Sequence, residues 1–420
     1  MRQLGNHQFE YDPGRHQPCQ QEFRSRLPPY PPYRRRGEAG NTRLGWTLPG
    51  IFWTALAAGI LLKGPVNLMI VGLAAVTLSI YERSGRWLLA LRPLAGLAWL
   101  VLLVLPWFIA IYLRVGSAFL VNSVGHDMLG KLASAQEAHG APPGLYLVLF
   151  FATFYPGSIL AGLAVPAVWT VRREPAARFL LAWLVPSWII FELVVTKLPH
   201  YVLPLYPAIA ILIAGAVESK VLSRRPWLVR GAAWWFIAPI LISIGAVTFA
   251  IIVARDPAFP AWPFFAVAFI CGLFAWLLYE DDGAERSLLR ATAGMVMLAI
   301  GVFSIILPWL RPVFPSVALA RILHDAGCGH PLAASAGYEE PSLVFLAGTE
   351  TRLTDASSAA DFLNGGACRF AFIETRQERA FALRAEAIGL QYTRGPRVDG
   401  YNISTGRPIS IAVFASAGTP

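Results

Sequence analysis

Charge is what this 420-residue chain has least of. Only 14% of its residues are Asp, Glu, Lys or Arg, against 56% hydrophobic, where a soluble domain carries about 25% charged residues. That balance excludes an ordinary soluble protein and makes the chain a polytopic membrane protein. Acidic groups are scarcer than basic ones, 25 against 35, for a net charge of +10. The excess does not mark a nucleic-acid binder. There is no basic helix or aromatic-basic module, and the basic residues fall mostly in short connections between apolar runs, as topology and lipid headgroups require. No nucleic-acid partner is expected. Cysteine is also sparse, with four residues in neither a CxxC nor a zinc-like Cys/His spacing, so neither a metal nor a cofactor is expected. The chain has no G-x-G-x-x-G, Walker or nucleophile-elbow motif and no convincing internal repeat. Its N-terminus lacks the apolar core of a signal peptide.

What is present is a series of nine apolar runs long enough to cross about 30 Å of hydrocarbon. They cover residues 46–62, 65–81, 93–113, 144–171, 179–195, 202–217, 231–253, 261–279 and 291–310. The first two form a helical hairpin, because Lys63, Gly64 and Pro65 together make an expensive helix centre. Residues 1–45 are polar, rich in Arg, Pro, Gln and Tyr, and read as disordered. Residues 46–312 form the transmembrane domain. Residues 313–420 alternate helix-like and strand-like stretches, which predicts a small extracytoplasmic α/β domain with a partly parallel sheet. The expected fold is therefore an α-helical polytopic membrane protein of about nine transmembrane helices with a C-terminal α/β domain.

Alternate short loops are rich in arginine: Arg83, Arg86 and Arg92; Arg172, Arg173 and Arg178; Lys220, Arg224, Arg225 and Arg230; Arg286 and Arg290. These loops are expected in the cytoplasm. The opposite side then receives Lys63-Gly64-Pro65, loop 114–143, the turn at 196–200 and the whole C-terminal domain. Cys328 and Cys368 in that domain either pair, if it lies outside the cytoplasm, or remain two buried thiols.

Inside the spans ionisable groups are almost absent, Glu192 being the clearest exception. A transporter would place charges near the midplane, often in two repeated halves. Here they collect at the outer surface, where Lys63, His126, Lys131, Lys197, His200 and Tyr201 suit a phosphate anchored in the outer leaflet. Each residue also has a plainer reading. Lys63 and Lys197 could be positioning charges at helix ends, and Tyr201 and Tyr206 interfacial aromatics. His126 could be a surface histidine, and Asp127 and Lys131 an i,i+4 ion pair.

Four motifs in order carry a resemblance. They are Lys63-Gly64-Pro65; Leu105-Pro106-Trp107-Phe108-Ile109-Ala110-Ile111; Gly125-His126-Asp127 with His139-Gly140-Ala141-Pro142-Pro143; and Lys197-Leu198-Pro199-His200-Tyr201-Val202-Leu203-Pro204. Over roughly residues 46–217 the chain resembles the dolichyl-phosphate-mannose protein mannosyltransferase-like and aminoarabinose transferase-like glycosyltransferases of the GT-C type. The resemblance implies a bacterial plasma (inner) membrane enzyme that moves a sugar from a polyprenyl-phosphate donor to a lipid, glycan or protein acceptor on the outer face. It implies donor-phosphate or substrate contacts from His126, Lys197 and Tyr201, with Lys63 matching the family's Lys-Gly pair and His200 beside them. The family's catalytic acidic loop follows its first helix, and about four helices precede the segment matched here. That part is missing, so the catalytic residue is unknown. The abrupt polar segment 1–45 suggests a truncated or non-native reading frame and a chain inactive as it stands. Asp127, Glu137 and Glu192 are the remaining outer carboxylates. The alternative is a non-catalytic protein that binds or flips polyprenyl-phosphate lipids.

Overall fold

The computed structural model describes residues 44–116, 141–403 and 405–417. They fall into two compact units, one ending at Ala238 and including Ile270–Met295, the other made of Pro239–Phe269 and the chain from Val296 onward. All nine apolar runs are helical. They begin with α1 (Leu44–Lys63), α2 (Val66–Glu82) and α3 (Pro93–Val115), then α4 (Leu145–Thr153), α5 (Ser158–Val171) and α6 (Pro175–Leu193). A 3-10 turn over Pro199–Leu205 leads into α7 (Tyr206–Glu218), followed by the short α8 (Pro226–Arg230). The last long helices are α9 (Trp234–Ala254), α10 (Trp262–Leu277) and α11 (Tyr279–Ala299). The last continues through a π-helical stretch, Ile300–Ile306, into α12 (Leu307–Trp309).

Among the described residues seven stretches are long and apolar enough to span a membrane, and an eighth is added if α4 and α5, bent by 116°, count as one. The expected span 144–171 is thus two helices, broken at the stretch that holds Pro156, which has no amide to donate. The run Val66–Tyr81 is shorter and at 1.5 Å per residue falls below about 30 Å. Arg286 and Arg290, expected in a loop, lie on α11, which bends at Gly283 (φ 81°). Asp282 neutralises both, accepting from Arg286 at 3.4 Å and also pairing with Arg290.

Large apolar side chains point outward along the spans, Leu102 at 62% exposure and Ile244 at 59%. Such a surface needs lipid around it. Two tryptophan N–H groups find acceptors on neighbouring segments, as a medium without water favours. Trp53 donates to the Leu91 carbonyl at 2.8 Å and Trp99 to the Thr54 hydroxyl at 2.9 Å. Helix α10 meets α9 at Gly272, where an added Cβ would stand 2.2 Å from the Trp235 carbonyl oxygen and 3.0 Å from the Phe236 Cα. Backbone cannot yield as a side chain can. Gly272→Leu is expected to lower stability by about 1–3 kcal/mol, read as a lower unfolding midpoint in detergent. Gly245→Leu on α9 meets nothing within 4 Å and serves as the silent control.

The C-terminal part carries α13 (Pro315–His324), β1 (Leu332–Ala336), α14 (Pro341–Ala347), β2 (Arg352–Leu353) and α15 (Ala356–Asn364). Then follow β3 (Arg369–Glu374), α16 (Glu378–Ala387), β4 (Tyr392–Tyr401) and β5 (Pro408–Ser416). The strand order is β2-β1-β3-β5-β4. β1 is parallel to β2 and β3, and β5 is antiparallel to β3 and β4. Because side chains alternate along a strand, β3 sends Phe370 and Phe372 to a core with α13 and α14, and Ala371 and Ile373 to a core with α15 and α16. Both faces are therefore apolar, as sheets with helices on each side require. Asp355 caps α15 by accepting from the Ser357 and Ser358 amides. The Ser358 bonds above all hold its carboxyl below the usual carboxylate range. Cys328 and Cys368 are joined by a disulfide.

Candidate functional site

The site is assembled from two chain reversals of the first unit. Helix α1 stops at Lys63 because Gly64 takes a left-handed conformation (φ 69°), which glycine adopts at no steric cost. Pro65, lacking an amide hydrogen, then leads into α2. Lys63 is left exposed on the last turn of α1, where a cation favours the helix dipole. The second reversal follows α6. Val194 and Leu198 are extended, and Pro199 opens the 3-10 turn that presents His200 and Tyr201.

The two reversals meet. The Lys63 ammonium lies over the Tyr201 ring, 5.9 Å from its centroid. The His200 ring stands edge-on to Tyr201 at 5.0 Å and within electrostatic reach of Lys63. Phe191 backs Tyr201 at 6.5 Å between centroids. Of the expected site residues, Lys63, His200 and Tyr201 are thus brought together. His126 lies outside the described residues, as do Lys131, Asp127 and Glu137.

Lys197 is placed differently from the others. It is only 5% exposed, and its ammonium donates to the Val194 carbonyl at 2.6 Å and the Ala141 carbonyl at 3.0 Å. The Ala141 amide in turn donates to the Val195 carbonyl at 3.3 Å. Glu192 completes this clasp. Its carboxylate accepts from the Gly144 amide at 2.8 Å and the Leu147 amide at 3.2 Å, filling orphan donors at the start of α4 and meeting the positive end of its dipole. Its oxygens are occupied by backbone, which is the work of a cap.

Two further residues belong here that the sequence reading passed over. The Tyr146 hydroxyl is fully buried and has no hydrogen-bond partner of good geometry among the described residues; it lies beside the Leu198 backbone, near Glu192 and Tyr201. The Thr196 hydroxyl is also buried without a partner among the described residues. Tyr146 is the second residue after the Pro142-Pro143-Gly144 re-entry, and that proximity was the available signal. A cavity of about 260 Å³ in the same unit is lined by Phe52, Leu56, Asn67, Ile70, Trp183 and Pro204 among others. Asn67 is four residues past Lys63, and Pro204 three past Tyr201. Among the described residues no group of three His, Cys, Asp or Glu is placed to hold a metal ion.

The architecture is that of a multi-pass inner-membrane protein whose helical domain leads into a small mixed-sheet domain. No protein-family model matches the chain. Undecaprenyl phosphate-alpha-4-amino-4-deoxy-L-arabinose arabinosyl transferases are similar to it in sequence. Those of Pseudomonas paraeruginosa and Pseudomonas aeruginosa are each 29% identical over 243 residues, 57% of this chain and 43% of the relative. That of Erwinia tasmaniensis is 32% identical over 171 residues, 40% of this chain and 30% of the relative. The chain spans less than half the length of the curated relatives it matches. The crystal structure of ArnT from Cupriavidus metallidurans bound to undecaprenyl phosphate shares the fold, with a TM-score of 0.65 at 19% identity over 94% of this chain and 72% of that one. The sequence relatives support the GT-C aminoarabinose transferase-like family, and the structural neighbour shares the fold.

Proposed function

We propose that this chain serves a membrane glycosyltransferase that moves a sugar from a polyprenyl-phosphate donor to a lipid, glycan or protein acceptor. The observation that carries the reading is the convergence of Lys63, His200 and Tyr201, in the unit that also holds an apolar cavity whose wall includes Asn67 and Pro204. A cation with neighbouring ring N–H and hydroxyl donors suits a monophosphate, and an apolar cavity suits a prenyl chain. The relatives' names, which specify an undecaprenyl-phosphate donor, support the same substrate class. Lys197 contributes by holding the turn in place. The same reading puts residues 313–420 on the periplasmic side. The Cys328–Cys368 disulfide supports that side, since such bonds persist in oxidising compartments.

A second reading is a protein that binds or flips polyprenyl-phosphate lipids without catalysis. The engagement of Glu192 in capping fits it, since that carboxylate has a structural task rather than the proton-accepting one that glycosyl transfer calls for. The test is undecaprenyl phosphate binding by the full chain in nanodiscs. Lys63→Ala and Tyr201→Leu should each weaken binding about tenfold, about 1.4 kcal/mol. Unchanged affinity in both variants would remove the site. In membranes, an enzyme loses sugar transfer in these variants, whereas a flippase loses donor movement and leaves the sugar content of the acceptor unaltered.

A further inference from the structure

The arginines between α2 and α3 belong to a basic and aromatic corner that the Lys63 cluster does not use. The corner lies at the other end of α1, with Trp46 roughly 25 Å from Lys63 along the helix at 1.5 Å per residue. The Arg92 guanidinium lies over the Trp46 ring, 3.6 Å from its centroid. Stacking of this kind fixes the plane of a guanidinium and leaves its N–H edge to donate outward. Arg86 opens a 3-10 turn over Arg86–Leu91, and its amide donates to the Ser84 hydroxyl at 3.3 Å. With three residues per turn Arg86 and Leu89 share the exposed side, and Arg92 follows one turn on.

The corner is held from within. The Trp53 indole N–H donates to the Leu91 carbonyl at 2.8 Å, at the end of the 3-10 turn. The same ring lies so close to α3 that a Cβ at Gly96 would stand 1.8 Å from its nitrogen. Around the two cations the surface is apolar: Trp46, Leu48, Leu89 and Leu94 are exposed, Leu94 at 86%. Acidic groups are scarce. Between residues 44 and 116 the one acidic residue is Glu82, and Arg178 holds its carboxylate at 2.8 Å. Among the described residues no carboxylate pairs with Arg86 or Arg92.

We infer that this corner is a binding site for cardiolipin, with one phosphate on Arg92 above its ring, the other on Arg86, and acyl chains along Leu89 and Leu94. Arginine takes a phosphate through paired N–H donors, and basic pockets between membrane helices recognise such headgroups. The two arginines stand two 3-10 turns apart in sequence, about 12 Å of backbone at 2.0 Å per residue. That separation suits two phosphates carried by one lipid, which cardiolipin has and phosphatidylglycerol lacks. The exposed leucines beside the cations favour a lipid over a soluble phosphate, since they gain from acyl chains and not from water. The inference requires neither the transfer reaction nor the donor site.

Native mass spectrometry of the full chain from phosphatidylglycerol nanodiscs doped with cardiolipin tests it. Cardiolipin should be retained about tenfold over phosphatidylglycerol, about 1.4 kcal/mol. Arg86→Gln and Trp46→Leu should each cut that preference about threefold, half of that free energy, with the unfolding midpoint retained. The double variant Arg86→Gln, Arg92→Gln should abolish it. Arg230→Gln, at an exposed arginine of α8, should leave it intact, and undecaprenyl phosphate retention should be the same in every variant as in wild type. Equal retention of the two lipids by the wild-type protein overturns the inference. So does an equal loss in Arg230→Gln, which would mean a diffuse attraction to the whole basic face. Should the double variant misfold, Arg86→Gln decides, because its side chain is exposed, and an undiminished preference there overturns the inference.

Discussion

Lys197→Met should destabilise the first unit by about 2–4 kcal/mol, since each carbonyl stranded in a buried place costs about 1–3 kcal/mol. The substitution keeps the length of the side chain and removes only the donors. Val194 and Ala141 would each lose an ammonium, and the second of these bonds reinforces the Ala141–Val195 backbone bond that ties the chain at residue 141 to the turn after α6. Arginine should not rescue, because a planar guanidinium cannot fit a pocket shaped for a compact ammonium. The readouts are the unfolding midpoint and the rate of limited proteolysis near residue 141, which should rise. A variant with wild-type stability and no affinity for undecaprenyl phosphate would reverse the assignment. It would mean that the ammonium turns to the ligand when ligand is present.

That residue shows where the sequence stops being informative about the site. The turns themselves were legible: Lys63-Gly64-Pro65 ends one helix and starts another, and Thr196 to Pro207 reads as a polar interruption between apolar runs. Their meeting was expected only as a shared face of the membrane, and the cation over the Tyr201 ring gives it a geometry. The environment of Lys197 was not legible, because its burial depends on a carbonyl 56 residues away. Glu192 was noticed as an ionisable residue inside a span, yet its partners lie 48 and 45 residues earlier. A clue did exist: α4 opens after Ala-Pro-Pro-Gly with no Ser, Thr, Asp or Asn to cap it, so its amides needed an acceptor from elsewhere.

The C-terminal domain divides the same way. Strands β1, β3 and β5 are short, largely apolar runs, and the strand-like stretches read from the sequence at 332–336, 369–373 and 409–415 match them within a residue. β4 was missed because it is an edge strand with exposed side chains and no alternating apolar pattern. It also contains Pro396, placed where the pairing with β5 slips between Arg394 and Arg397, the position a sheet tolerates for a residue without an amide. β2 is two residues long and has no signature at that length. The apolar runs gave nine helices but not their status as spans, because a bend or a missing turn decides whether a helix reaches across.

Opening the Cys328–Cys368 disulfide should have the largest single effect on the C-terminal domain. The cysteines are 40 residues apart in sequence, and closing a loop of that size removes unfolded-state entropy worth about 4 kcal/mol. The bond also sits where the sheet begins, since the Leu332 amide donates to the Cys368 carbonyl at 3.1 Å just ahead of the β1–β3 pairing. Cys328→Ser should therefore lower the unfolding midpoint of this domain by about 15 °C or more, on a scale of about 4–8 °C per kcal/mol for domains near this size. Reductant should reproduce the shift in the wild-type protein and add nothing to the variant. The same pair reports on sidedness. Thiol labelling of freshly isolated membranes should leave Cys328 and Cys368 unmodified until reductant is added. Labelling of both without reductant would mean that the domain faces a reducing compartment, and the periplasmic assignment would fall while the fold stands.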